Sequence, residues 1–219
     1  MIEKKINFSD NQLFIFDLDG TIVDSKQLMT EALGECYQNL GIEDPPYNHF
    51  FSLMGKSLEA IFRELNIPIE LVRNYQHYCS SHKDRIYLFP YMAQIIKSLS
   101  DQKKKMAILT GKDRIRTFEI LKMYNIMNYF EEVVTSDDIT YSKPDPEGIE
   151  KILKKLNGNI SSTIMIGDGL FDIQCAKNAN ISSAFVCWGT GEKKIIETLA
   201  PDFIFNNPSE LIQVVNNEQ

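Results

Sequence analysis

The sequence predicts an α/β fold, a parallel sheet with helices on both faces and a helical insertion behind its first strand. Three observations carry this. Six apolar runs have strand length and β-type residues. Amphipathic helical patterns separate the later runs, the alternation that builds a parallel sheet. Residues 24 to about 91 break the rhythm and read as helical throughout, with turns near "GIEDPPYN" (41–48) and "NIPIE" (66–70).

Taken in order, the first strand is "LFIF" (13–16), which runs into "DLDG". The insertion follows. "MAIL" (106–109) is the second strand, and Ile115, Phe118 and Leu121 mark a helix after it. "EVV" (132–134) is the third. Ile149, Ile152, Leu153 and Leu156 then keep the i, i+3, i+4, i+7 spacing of a helix, with Asp145 as its N-cap and Pro146 at its first position. "TIMI" (163–166), "SAFVC" (183–187) and "FIF" (203–205) complete the sheet.

Composition bounds the function. A chain of 219 residues, 43% apolar, can bury a core and is long enough for one domain with an insertion or for two small ones. A net charge of −7, from 23 basic and 30 acidic residues, gives no general attraction for nucleic acid or an anionic membrane. Cys36, Cys79, Cys175 and Cys187 form no CxxC pair, and "MIEKKINFSDNQ" has no apolar stretch of signal-peptide type. Both features read as a cytoplasmic protein with reduced thiols. No apolar run approaches membrane-spanning length.

Ligands of open parallel sheets bind at the carboxyl ends of the strands, and the chemistry-bearing residues gather there. Asp17 and Asp19 end the first strand two residues apart, so extended geometry points both carboxylates the same way. A divalent cation, a proton-transfer pair or an acidic turn would each use such crowding. The second strand ends in Thr110-Gly111, Lys143-Pro144-Asp145-Pro146 follows the third, and the fourth ends in Gly167-Asp168-Gly169 with Asp172 four residues beyond Asp168. Acids thus cluster with a lysine and a hydroxyl along one edge.

"DLDGTIVDS", "LTGK", "SKPDPEG" and "GDGLFD", in that order, resemble the motifs of the haloacid dehalogenase superfamily, in its phosphoglycolate phosphatase-like branch with a helical cap. The match runs from about residue 13 to 215. It implies a Rossmann-like core of residues 1–23 and 92–219 and an inserted α-helical cap of residues 24–91. It also implies a Mg²⁺-dependent phosphatase that hydrolyses a small-molecule phosphate monoester through an aspartyl-phosphate. In that scheme Asp17 is the nucleophile and Asp19 the acid/base, while Thr110 and Lys143 hold the phosphoryl oxygens. Mg²⁺ would take Asp17, the backbone carbonyl of Asp19, Asp168 and Asp172, the last directly or through water. Gly20, Thr21, Gly111 and Lys56 are the expected substrate contacts. The partner is a small phosphorylated metabolite, with neither nucleic acid nor membrane, bound by a monomer or homodimer.

Asp19 sides with phosphatases and phosphomutases, since related dehalogenases and P-type ATPases carry no aspartate there. A sugar phosphomutase of the β-phosphoglucomutase type shares all four motifs; a catalytically idle phospho-ligand-binding protein would not need an acid/base at residue 19. Two residues depart from the common pattern: Gly111 stands where many relatives have asparagine, and Tyr91 where many have glycine.

Three motifs are decoys. "MGKS" (54–57) and "TGKD" (110–113) lack a P-loop's earlier glycine, because Phe50 and Met106 occupy its place, and "GTGEKK" fails the dinucleotide pattern at Lys194. His49, His77 and His82 show no metal-ligand pairing. In "LMGKS" (53–57), Gly55 allows a turn that lets Ser57 cap the next helix; the corresponding loop of capped relatives reaches over the substrate, so the resemblance implies that Lys56 contacts an anionic or hydroxyl-rich leaving group.

Overall fold

The computed structural model describes residues 7–216, so the ends of the expected core and half of the N-terminal segment quoted above lie outside the described residues. The chain runs β1 (Leu13–Phe16), β2 (Val23–Asp24), α1 (Lys26–Asn39), α2 (Tyr47–Ser52), α3 (Leu58–Glu64), α4 (Val72–Ser81) and β3 (Tyr87–Leu88). It continues through α5 (Met92–Asp101), β4 (Lys105–Leu109), α6 (Arg114–Met123), β5 (Glu132–Val134) and α7 (Glu147–Leu156). The last elements are β6 (Thr163–Gly167), α8 (Leu170–Asn178), β7 (Ser182–Val186), α9 (Lys193–Glu197), β8 (Phe203–Phe205) and α10 (Pro208–Asn216).

Six strands form one parallel sheet in the order β5-β4-β1-β6-β7-β8. β1 lies inside it, and alternate residues feed opposite faces. Phe14 and Phe16 join Met106, Ile108, Ile164 and Ile166 in one apolar cluster; Leu13 and Ile15 join Ala107, Leu109 and Met165 in another. α5 and α10 cover the first face, α7 and α8 the second. A strand buried on both sides must be apolar at every position, which is why "LFIF" shows no alternation.

Between β1 and α5 the chain is mostly helical, as expected, but not throughout. β2 and β3 pair antiparallel, Val23 with Leu88 and Asp24 with Tyr87, and tie the two ends of the insertion together. Two-residue strands are too short to leave a period in the sequence. Two helix details also differ from expectation. α7 begins at Glu147 with Pro146 at the N-cap position, and the Asp145 carboxylate accepts from the Glu147 amide at 2.9 Å. Asp145 therefore caps from one residue further out. On α6, Ile115 is 72% exposed, and the buried face carries Arg116, Thr117, Ile120 and Leu121. α6 packs against α4, and Glu119 accepts from the Ser80 hydroxyl of α4 at 3.0 Å and from the Lys83 ammonium just beyond it at 3.1 Å.

Candidate active site

The sheet order sets the site. β4 and β6 flank β1, so the residues that follow these strands, Thr110, Asp17 and Asp168, arrive side by side. The strand ladder runs one residue further, with the Asp17 amide donating to Ile166 O at 2.9 Å and the Thr110 amide to Val134 O at 3.0 Å. Lys143, 2% exposed, comes from the loop ahead of α7. Its ammonium has three N–H donors and three acceptors: Asp17 Oδ1 at 2.7 Å, Asp172 Oδ1 at 2.6 Å and Leu109 O at 3.2 Å. Asp172 also accepts from the Gly169 amide at 2.9 Å. Gly169, not Asp168, is the N-cap residue of α8.

Asp168 is held from both sides. Thr21 donates to Oδ1 at 3.2 Å, and the Thr190 amide and hydroxyl donate to Oδ2 at 2.7 and 3.1 Å. Gly20 makes room for it: φ is +84°, and a Cβ there would lie 2.3 Å from the Asp168 carboxylate. Oxygens of Asp17, Asp168 and Asp172 all fall within 4.8 Å of one another. Three buried carboxylates thus face a single ammonium. Burial drives Asp17 well above the usual carboxylate range, against the pull of Lys143. Burial, then Asp172, raises Asp168 to about 6. Burial works to depress Lys143, but Asp17 and Asp172 hold it above its ordinary value. The donor set fits Mg²⁺: hard oxygens with an uncompensated negative charge, which a divalent cation would neutralise.

Asp19 lines the same cavity as Asp17 but has different partners. Its carboxylate is outside that cluster and meets Ser25 Oγ at 2.5 Å and Lys112 Nζ at 3.0 Å. A cavity of about 40 Å³ lies in front of Asp17, Asp19 and Thr110, closed above by the loop around Gly55 and Lys56 and by α3 and α4. Gly111 lines it. Thr21 spends its hydroxyl on Asp168, and Lys56 spends its ammonium on Glu64 and lies 5.1 Å over the Phe171 ring. Ser57 caps α3 through the Ala60 amide, as expected.

Three polar side chains of the cavity were not among the expected site residues: Lys112, Arg116 and Tyr75. Lys112 stands two positions after Thr110, and Arg116 four before the core residue Ile120, so both spacings were available as signals. Tyr75 sits in the insertion and left none.

The haloacid dehalogenase-like hydrolase family model matches residues 14–186. The chain belongs to that family. It is a hydrolase of the phosphatase type, as the intact motifs led one to expect. The pyrophosphatase PpaX of Listeria monocytogenes serotype 4b is 30% identical over 210 residues, 94% of this chain and 96% of that protein. Among solved structures, a haloacid dehalogenase-like family hydrolase from Streptococcus pneumoniae superposes with a TM-score of 0.77 at 26% identity, over 94% of this chain and 98% of that one. A predicted phosphoglycolate phosphatase from Haemophilus somnus gives 0.82 at 18% identity, over 94% and 99%, and so shares the fold. Among the described residues, no helix is long and apolar enough to cross a membrane.

Proposed function

We propose that the protein is a Mg²⁺-dependent phosphatase acting on a small phosphorylated metabolite in the cytoplasm, as a monomer or homodimer, with residues 24–91 forming a cap over a core of residues 1–23 and 92–219. One observation carries the reading: Asp17, which lines a small cavity together with Asp19 and Thr110, is backed by the buried group of Lys143, Asp172 and Asp168. The Listeria relative's name, pyrophosphatase, widens the candidate substrates from monoesters to an anhydride.

Asp17, Asp168, Asp172 and the backbone carbonyl of Asp19 would hold Mg²⁺. When bound, the ion offsets the repulsion between a carboxylate nucleophile and a phosphate dianion. Asp17 attacks phosphorus in line, forming a P–O bond as the bond to the leaving oxygen breaks, and becomes an aspartyl-phosphate. Asp19 gives its proton to the departing oxygen, then takes one from the water that attacks the intermediate. Ser25 and Lys112 hold that carboxylate toward the cavity. Lys143 and Thr110 stabilise the equatorial oxygens, and the insertion keeps bulk water away.

Phosphate release from a panel of phosphorylated metabolites, with and without Mg²⁺, tests this. Turnover should require Mg²⁺, and Asp17→Asn should fold but release no phosphate and trap none on the protein after acid quenching. Full activity in excess chelator, or in Asp17→Asn, would refute it.

A further inference from the structure

The cavity has a wall that the chemistry above leaves unused. Tyr75 of α4 is 1% exposed, lines the cavity, and its hydroxyl has no hydrogen-bond partner. Native proteins rarely bury a hydroxyl without one unless something else is to meet it. Arg116 of α6, 6% exposed, lines the same space, with its guanidinium carbon 5.6 Å from the centre of the Tyr75 ring. Its Nε donates to Asp113 Oδ2, which also accepts from Gln76 Nε2 at 3.2 Å, while Asp113 Oδ1 accepts from the Arg116 amide at 2.9 Å. Asp113 thereby fixes the guanidinium through one nitrogen, and the other polar side chain set against it is the Cys79 thiol, a weak partner. Phe50, Leu58 and Ile61 form apolar walls nearby. A guanidinium with donors to spare and an unpartnered hydroxyl, both on residues lining an apolar enclosure, match a small oxyanion.

Given the phosphatase reading, on which this rests, we propose that Arg116 and Tyr75 determine specificity by binding a second anionic group, carboxylate or phosphate, carried by the leaving group. The cavity holds roughly three or four water-sized groups, so that anion sits close to the scissile bond. Lys112 lines the same cavity with its ammonium 3.0 Å from Asp19 and adds positive charge for such a substrate. Lys56 lines the same cavity with its ammonium paired to Glu64.

The test compares specificity constants for inorganic pyrophosphate and 2-phosphoglycolate, whose leaving groups are anionic, with that for 4-nitrophenyl phosphate, whose leaving group offers no second anion. Wild type, Tyr75→Phe and Arg116→Gln are measured, with Arg116→Lys as the fallback that keeps the buried charge. In each variant the ratio of the better anionic probe to the aryl phosphate should fall about tenfold or more. Tyr75→Phe should also raise the melting temperature by roughly 2–4 °C, because it removes a buried hydroxyl that nothing satisfies. A purely packing role would lower both activities together. An unchanged ratio, or a wild type that hydrolyses the aryl phosphate but neither anionic probe, would overturn the assignment while leaving the phosphatase reading intact. No phosphate release from any of the three would overturn both.

Discussion

At the scale of single residues, the site is governed by who shares the dry space around Lys143. Asp168, raised by burial to about 6, binds a proton more tightly folded than unfolded. Its contribution to stability is therefore present at acid pH and lost as pH rises from about 4 through 6. Mg²⁺ needs the deprotonated form, so the ion should restore what is lost. The increase in melting temperature on adding Mg²⁺ is expected to grow between pH 5 and 7; a constant increment would remove Asp168 from the ligand set. Asp19 invites a different measurement. Asp19→Asn should cost alkyl phosphates about 10²–10⁴-fold and aryl phosphates much less, because an aryl oxide departs without a proton. Equal losses on both would deny it the acid role.

At the scale of elements, sequence legibility followed burial symmetry. Strands of the parallel sheet announce themselves as apolar runs, and β1, β5 and β8 were placed to the residue, β4, β6 and β7 within one. α6 was located where Ile115, Phe118 and Leu121 mark it, but of these three only Leu121 is fully buried, and the buried side also holds a charged and a hydroxyl residue, Arg116 and Thr117. An arginine reads as a surface residue unless its partners are known, and those partners, Asp113 and the Tyr75 ring, are settled only in three dimensions. The four motif residues at the strand ends needed no such knowledge, since a parallel sheet delivers its loops to one edge. Tyr91, just ahead of α5, shows a local cost. It has φ of +65°, a left-handed conformation that glycine adopts freely, which explains the glycine of many relatives. Tyr91→Gly should stabilise the fold by about 0.5–1 kcal/mol, read from chemical denaturation, once the extra freedom of glycine in the unfolded chain is set against the strain removed. A loss of stability would mean that the exposed tyrosine ring contributes more than the strain.

At the scale of the whole molecule, the insertion rests on the core along two lines. One is the polar seam of α4 on α6, where Gln76, Ser80 and Lys83 meet Asp113 and Glu119. The other is the loop of Gly55 to Ser57, where the Ser57 amide donates to Ser142 at 3.2 Å and the backbone passes directly over Gly111. A Cβ on Gly111 would lie 2.3 Å from the Lys56 carbonyl oxygen and 2.9 Å from that of Gly55. Residue 111 is therefore a shim whose thickness sets the height of the roof. Alanine there requires the loop to rise by about an ångström, and larger side chains more. Because a misplacement of that size can cost on the order of a hundredfold in rate, turnover should fall stepwise through Gly111→Ala, Gly111→Ser and Gly111→Asn. Plotted against side-chain volume at position 111, the turnover number becomes a gauge of how nearly shut the chamber must be for phosphorus to change hands.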